Sequence, residues 1–90
     1  MVTIEFTSAL KRFFPSLKKE EVEAGTVGAV IHKANDIYPG ISQYVLTETG
    51  QVREHIKIYI DEEPAPADTA LTTPLNSGQN VLIFQAISGG

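Results

Sequence analysis

The sequence closes on two glycines, Gly89 and Gly90, almost directly after the apolar run Val81-Leu82-Ile83-Phe84. At an average glycine content of about 7%, a diglycine end arises by chance in about 0.5% of chains. Chain ends are often simply unstructured, but this one is set apart by the run that precedes it. Glycine has no Cβ, so a Gly-Gly end can thread a narrow channel and take any backbone angle an active site demands. A terminal carboxylate with a pKa of about 3.3–3.7 is ionised at neutral pH and is a poor electrophile. Activation, for example adenylation with ATP on a partner enzyme, would open the Gly90 carbonyl carbon to a thiol, sulfide or amine. The chain has no cysteine of its own to compete. Extended, residues 86–90 reach about 17 Å at most.

Other chemistries find little support. Without cysteine there is no disulfide, thiolate metal site or cysteine nucleophile. His32 and His55 have no partner at metal-ligand spacing, so no metal is expected. No nucleophile elbow, P-loop or dinucleotide fingerprint occurs. Gly25-Thr26-Val27-Gly28 lacks the lysine that would hold phosphate. Glu62-Glu63 reads as solubilising charge. Seven Lys+Arg stand against eleven Asp+Glu, a net charge of −4. That balance argues against nucleic acid and anionic lipid as partners. No signal peptide or membrane-length apolar window is present. The expected compartment is the cytoplasm.

The elements that must position such a tail follow from periodicity. Ninety residues make one domain, 42% apolar and 20% charged, near globular averages. Val2, Ile4 and Phe6 alternate with polar residues as a half-buried strand does. Residues 9–14 are ambiguous and Pro15-Ser16 marks a turn. Residues 18–21 read as exposed charge, and 21–24 as a second strand. Thr26 is a helix N-cap. Val27, Val30, Ile31 and Ala34 form one helical face that Pro39-Gly40 ends. Gly28 costs that helix about 1 kcal/mol, which points to close packing. Residues 41–46 suit a short helical turn. Ile56, Ile58 and Ile60 mark a strand, with His55 on its opposite face. Residues 61–68 form an exposed acidic excursion, and the element order leaves room for one short strand between residue 60 and the last strand. Leu71 and Leu75 anchor a compact turn, Asn76-Ser77-Gly78 turns the chain, and residues 81–87 are the last strand.

This order predicts an α+β fold, a mixed sheet with one main helix packed on one face. The first and last strands would lie side by side in its centre. The domain spans residues 1–86, and residues 87–90 form a projecting tail. With Val81 and Ile83 turned to the helix, Leu82, Phe84 and Ala86 face outward. Lys57 and Tyr59 share that face, and Ile87 continues the row toward the tail. An exposed apolar patch of this kind often marks a partner site.

Together these features resemble the ubiquitin-like β-grasp sulfur carriers, which include the small subunit of molybdopterin synthase and the thiamine-pathway carrier. Arg53-Glu54-His55-Ile56-Lys57-Ile58-Tyr59-Ile60-Asp61 is similar to that family's third strand. Leu71-Thr72-Thr73-Pro74-Leu75 with Gly78 is similar to its approach to the last strand, and residues 81–90 to the strand and tail. Gln85 stands where relatives commonly carry proline, and Gln79 where they carry an acidic residue. The resemblance implies a cycle. An adenylating enzyme using ATP and magnesium activates the Gly90 carboxylate, and a sulfur donor converts it to a thiocarboxylate. The sulfur then passes to an acceptor enzyme, such as a large synthase subunit. Gly90 would carry the sulfur and Gly89 would give access. Leu82, Phe84, Ala86, Ile87, Tyr59 and Lys57 would dock partners. The domain itself would bind no cofactor and act as a cosubstrate, not a self-sufficient enzyme. The molybdenum-cofactor branch is the first expectation, with carriers for cysteine or thiamine synthesis beside it. The other class is a ubiquitin-like modifier that passes Gly90 to lysines.

Overall fold

The computed structural model describes residues 1–66 and 68–85. Five strands, β1 (Val2–Phe6), β2 (Glu20–Val22), β3 (Ile56–Ile60), β4 (Glu63–Pro64) and β5 (Asn80–Gln85), form one sheet in the order β2-β1-β5-β3-β4. Only β1 and β5 run parallel; the other pairs are antiparallel. The helices are α1 (Val27–Ile37) and α2 (Ile41–Val45). The fold is thus the expected mixed sheet with one main helix, its first and last strands side by side in the centre.

The core lies between one sheet face and α1. Val2 and Ile4 from β1, Ile56 and Ile58 from β3, and Val81 and Ile83 from β5 meet Val27, Val30, Ile31 and Ala34. These are the positions that period two and period 3.6 select. Burying each of the larger side chains contributes about 1.5–3 kcal/mol. Thr26 Oγ1 accepts from Ala29 N at 3.2 Å, the expected N-cap. Gly28 is needed for a close approach, because a Cβ there would lie 3.1 Å from the Leu71 carbonyl oxygen. Gly40, at φ +98°, turns the chain between the helices, and Asn35 Oδ1 accepts from Gly40 N and Ser42 N to fix that corner.

Three regions differ from expectation. Residues 9–14 contain a 3-10 turn, Ser8–Arg12, whose anchor is the buried Leu10. The second strand begins earlier than expected, at Glu20, where the chain already pairs with Ile4 of β1, and the half-buried Glu20 carboxylate accepts from the Tyr38 hydroxyl on α1's C-terminal side. His55 is not on a strand face. It is exposed in the turn before β3, closed by the bond from Ile56 N to Arg53 O. The short strand allowed between β3 and β5 is present as β4, within the acidic excursion, and its Pro64 is tolerated because the strand lies at the sheet edge.

Candidate functional site on the outer sheet face

Alternation in β5 sends Val81 and Ile83 into the core and leaves Leu82 half-buried and Phe84 36% exposed on the other face. Tyr59 pairs with Leu82 and Lys57 with Phe84 across the β3–β5 ladder. The Tyr59 and Phe84 rings meet edge to face, with centroids 6.1 Å apart and planes at 87°. The structure thus brings Leu82, Phe84, Tyr59 and Lys57 onto one surface, as their alternation predicts. The apolar part is narrower than expected, since both Leu82 and Tyr59 are half-buried. Ala86, Ile87, Gly89 and Gly90 lie outside the described residues, as does the expected boundary at residue 86.

Residues beyond those predicted frame this face. Glu5 on β1 lies beside Leu82 in the parallel ladder and forms an ion pair with Lys19 at 3.7 Å. Both groups are solvent-accessible, so the pair adds at most about 1 kcal/mol, but it places a charge couple beside the apolar row. Thr7 fastens the end of β5. Its backbone N–H donates to Ile83 O at 3.1 Å, and its Oγ1 accepts from Gln85 N at 3.2 Å. Gln85, the last described residue, is therefore held by the residue that follows β1. Period-two reading finds Glu5 as polar and outward, but the β1–β5 register that makes Thr7 a clasp is not written in either segment alone.

The remaining crevices offer less. One of about 460 Å³ is lined by Asp61, Glu63, Pro64 and Pro74 among others and lies at the far end of β5. Its lining has no histidine, and among the described residues no group of three His, Asp or Glu could hold a metal ion. No helix among them is long and apolar enough to cross a membrane.

A central β5 held by a parallel β1 is the arrangement expected from the sequence. The ThiS family's sequence model matches residues 4–90. The chain belongs to the ThiS family. Over 91 aligned residues it is 28% identical to the sulfur carrier protein CysO of Mycobacterium tuberculosis, covering 99% of this chain and 98% of that one. The crystal structure of M. tuberculosis CysO superposes with a TM-score of 0.83 at 26% identity, over 97% of this chain and all of the other. The BexX/CysO complex of Amycolatopsis orientalis contains a chain with the same fold, at a TM-score of 0.86 and 22% identity, both chains fully covered. Small archaeal modifier protein 1 of Haloferax volcanii shares the fold at a TM-score of 0.74 and 18% identity, over 96% and 97% of the two chains. This ThiS-family chain therefore has the ubiquitin-like β-grasp fold of the sulfur carriers.

Proposed function

We propose that this protein carries sulfur on Gly90. The observation that carries the proposal is the ThiS-family match, which runs through the outer-face strands and on to residue 90. An adenylating partner would join the Gly90 carboxylate to the adenylyl group of ATP with loss of pyrophosphate. A sulfur donor would then supply a sulfide equivalent that attacks the acyl carbon and expels AMP. The product is a thiocarboxylate, a nucleophilic sulfur held at the end of a narrow tail. Transfer to an acceptor followed by hydrolysis of the acyl–sulfur bond returns the carboxylate. Magnesium accompanies ATP on the partner, and the carrier needs no cofactor of its own. In this scheme Phe84, Leu82, Tyr59 and Lys57 dock the partners, and Ala86 and Ile87 extend that contact along the tail. The cytoplasm, with its ATP, is the natural compartment.

The molybdenum-cofactor branch, first among the expectations from sequence, gives way to carriage for cysteine synthesis. The support is the likeness along the whole chain to the sulfur carrier CysO. A modifier that forms isopeptide bonds shares the activation step. The test is adenylation measured by ATP–pyrophosphate exchange with the adenylating enzyme of the same genome. Exchange that disappears on deletion of Gly89 and Gly90 is expected. Gly-Gly remnants on lysines of other proteins, with no thiocarboxylate, would favour the modifier. Exchange unaffected by the deletion would defeat both.

A further inference from the structure

The charges of this chain are segregated. Four of its seven basic residues and none of its eleven acidic ones lie within residues 8–19. That segment carries +4 and the rest of the chain −8. Lys11, Arg12, Lys18 and Lys19 are all exposed. Lys19 is paired with Glu5, whereas Lys11, Arg12 and Lys18 have no ion-pair partner among the described residues. Between them Phe13 is 57% exposed, with its ring against Tyr44 at a centroid distance of 4.9 Å and a tilt of 37°. The nearby Glu20 is already engaged by the Tyr38 hydroxyl.

The place of this segment matters. It follows Thr7 directly, and Thr7 holds Gln85 at the point where β5 leads to the tail. From there it crosses to α2, where Phe14 also meets Tyr44 and approaches Gly40. An enzyme that takes Gly90 into its active site must close on this end, because residues 86–90 reach only about 17 Å from Gln85. Exposed Phe13 and Arg12 are of the residue types enriched at protein interfaces, and the lysines beside them add a positive field that can steer an acidic partner.

We propose that residues 11–19 form a second docking element. The basic side chains would face an acidic rim around the activating enzyme's active-site entrance, with Phe13 seated in an apolar notch. This rests on the carrier assignment and adds the partner's chemistry. An extended polyanion fits less well. A nucleic acid would run beyond the +4 segment onto a body of −8, whereas a protein can place its carboxylates opposite the loop alone. Charge complementarity of this kind acts mainly on the association rate and weakens with salt, over a screening length of about 8 Å at physiological ionic strength.

The test uses the full-length protein and the adenylating enzyme of the same genome. K11E/R12E/K18E spares the Lys19–Glu5 pair, and circular dichroism and thermal melting check its fold. For the wild type, kcat/KM for adenylation should fall as NaCl is raised. The triple variant should lose at least tenfold at about 0.15 M salt and lose that salt dependence. K11R/K18R should behave as wild type, and Phe13→Ala should lose several-fold. Equal kinetics and equal salt dependence for wild type and triple variant would overturn the inference while leaving the carrier assignment intact. Unchanged adenylation with loss of binding to bulk tRNA in the triple variant would assign the loop to nucleic acid instead. A wild-type protein that is never adenylated would remove both the inference and the assignment.

Discussion

Replacing Phe84 by aspartate separates the two faces of β5, and the contrast with Ile83→Asp makes the separation quantitative. A phenylalanine presents about 200 Å². Phe84 is 36% exposed, so about 130 Å² is covered, worth about 3 kcal/mol at about 25 cal/mol per Å² and less against a compact unfolded chain. An aspartate at this position stays solvated and faces Lys57 across the ladder, so it carries no burial penalty. The expected loss is about 2–3 kcal/mol, within the 5–15 kcal/mol typical of a domain. Ile83 is 0% exposed. There an aspartate removes a core side chain and must be desolvated or protonated, which adds several kcal/mol and exceeds that margin. Urea unfolding followed by circular dichroism should show Phe84→Asp folded with a lowered midpoint and Ile83→Asp unfolded in buffer. In ATP–pyrophosphate exchange, Phe84→Asp should lose at least tenfold in kcat/KM, as expected of an aromatic anchor worth more than about 1.4 kcal/mol. Unfolding of Phe84→Asp as complete as that of Ile83→Asp would refute the assigned register. Wild-type kinetics in a folded Phe84→Asp would refute the docking role.

Tyr38→Phe should cost about 1.5–3 kcal/mol, because Glu20 loses a donor and Lys18 N its acceptor; chemical denaturation measures it. Burial, with help from the bond to Glu20, lifts the Tyr38 phenol above its usual value near 10. The fold thus favours the neutral phenol. That contribution is intact below about pH 10 and is lost as pH rises through the lifted value, so stability followed above pH 10 should fall less in Tyr38→Phe than in wild type. Asp61 and Glu62 sit at φ 49° and 72° in the turn between β3 and β4. Glu62→Gly should therefore raise stability by about 1 kcal/mol, as glycine relieves a left-handed residue, and an unchanged or lower melting temperature would contradict this. Gly28→Val should destabilise by about 2 kcal/mol despite the better backbone entropy, because the added carbons press on the Leu71 carbonyl.

Much of this was legible in the sequence where one physical signal dominated. The three alternating isoleucines of β3, the alternation of β1 and the Thr26 cap each specify an element locally, and the structure places them as their periods require. The outward set Lys57, Tyr59, Leu82 and Phe84 followed from the same alternation. What could not be read depended on contacts distant in sequence. Glu20 looks like one more exposed charge until the fold sets Tyr38 above it. His55 looks like part of the β3 alternation until the Arg53–Ile56 turn shows where pairing begins. Thr7 is an ordinary polar residue until the parallel register brings it against Gln85, 78 positions away. The branch of sulfur chemistry was least legible, since the tail and outer face that carriers share do not encode the final acceptor.

The central claim is that Gly90 bears sulfur, and intact mass spectrometry of the protein isolated from its own host tests it most directly. A species heavier by one oxygen-for-sulfur replacement, mapped to Gly90 and abolished when Gly89 and Gly90 are deleted, is the expected result. Complete absence of that species after incubation with ATP, an adenylating enzyme shown to be active and a sulfide source would contradict the account.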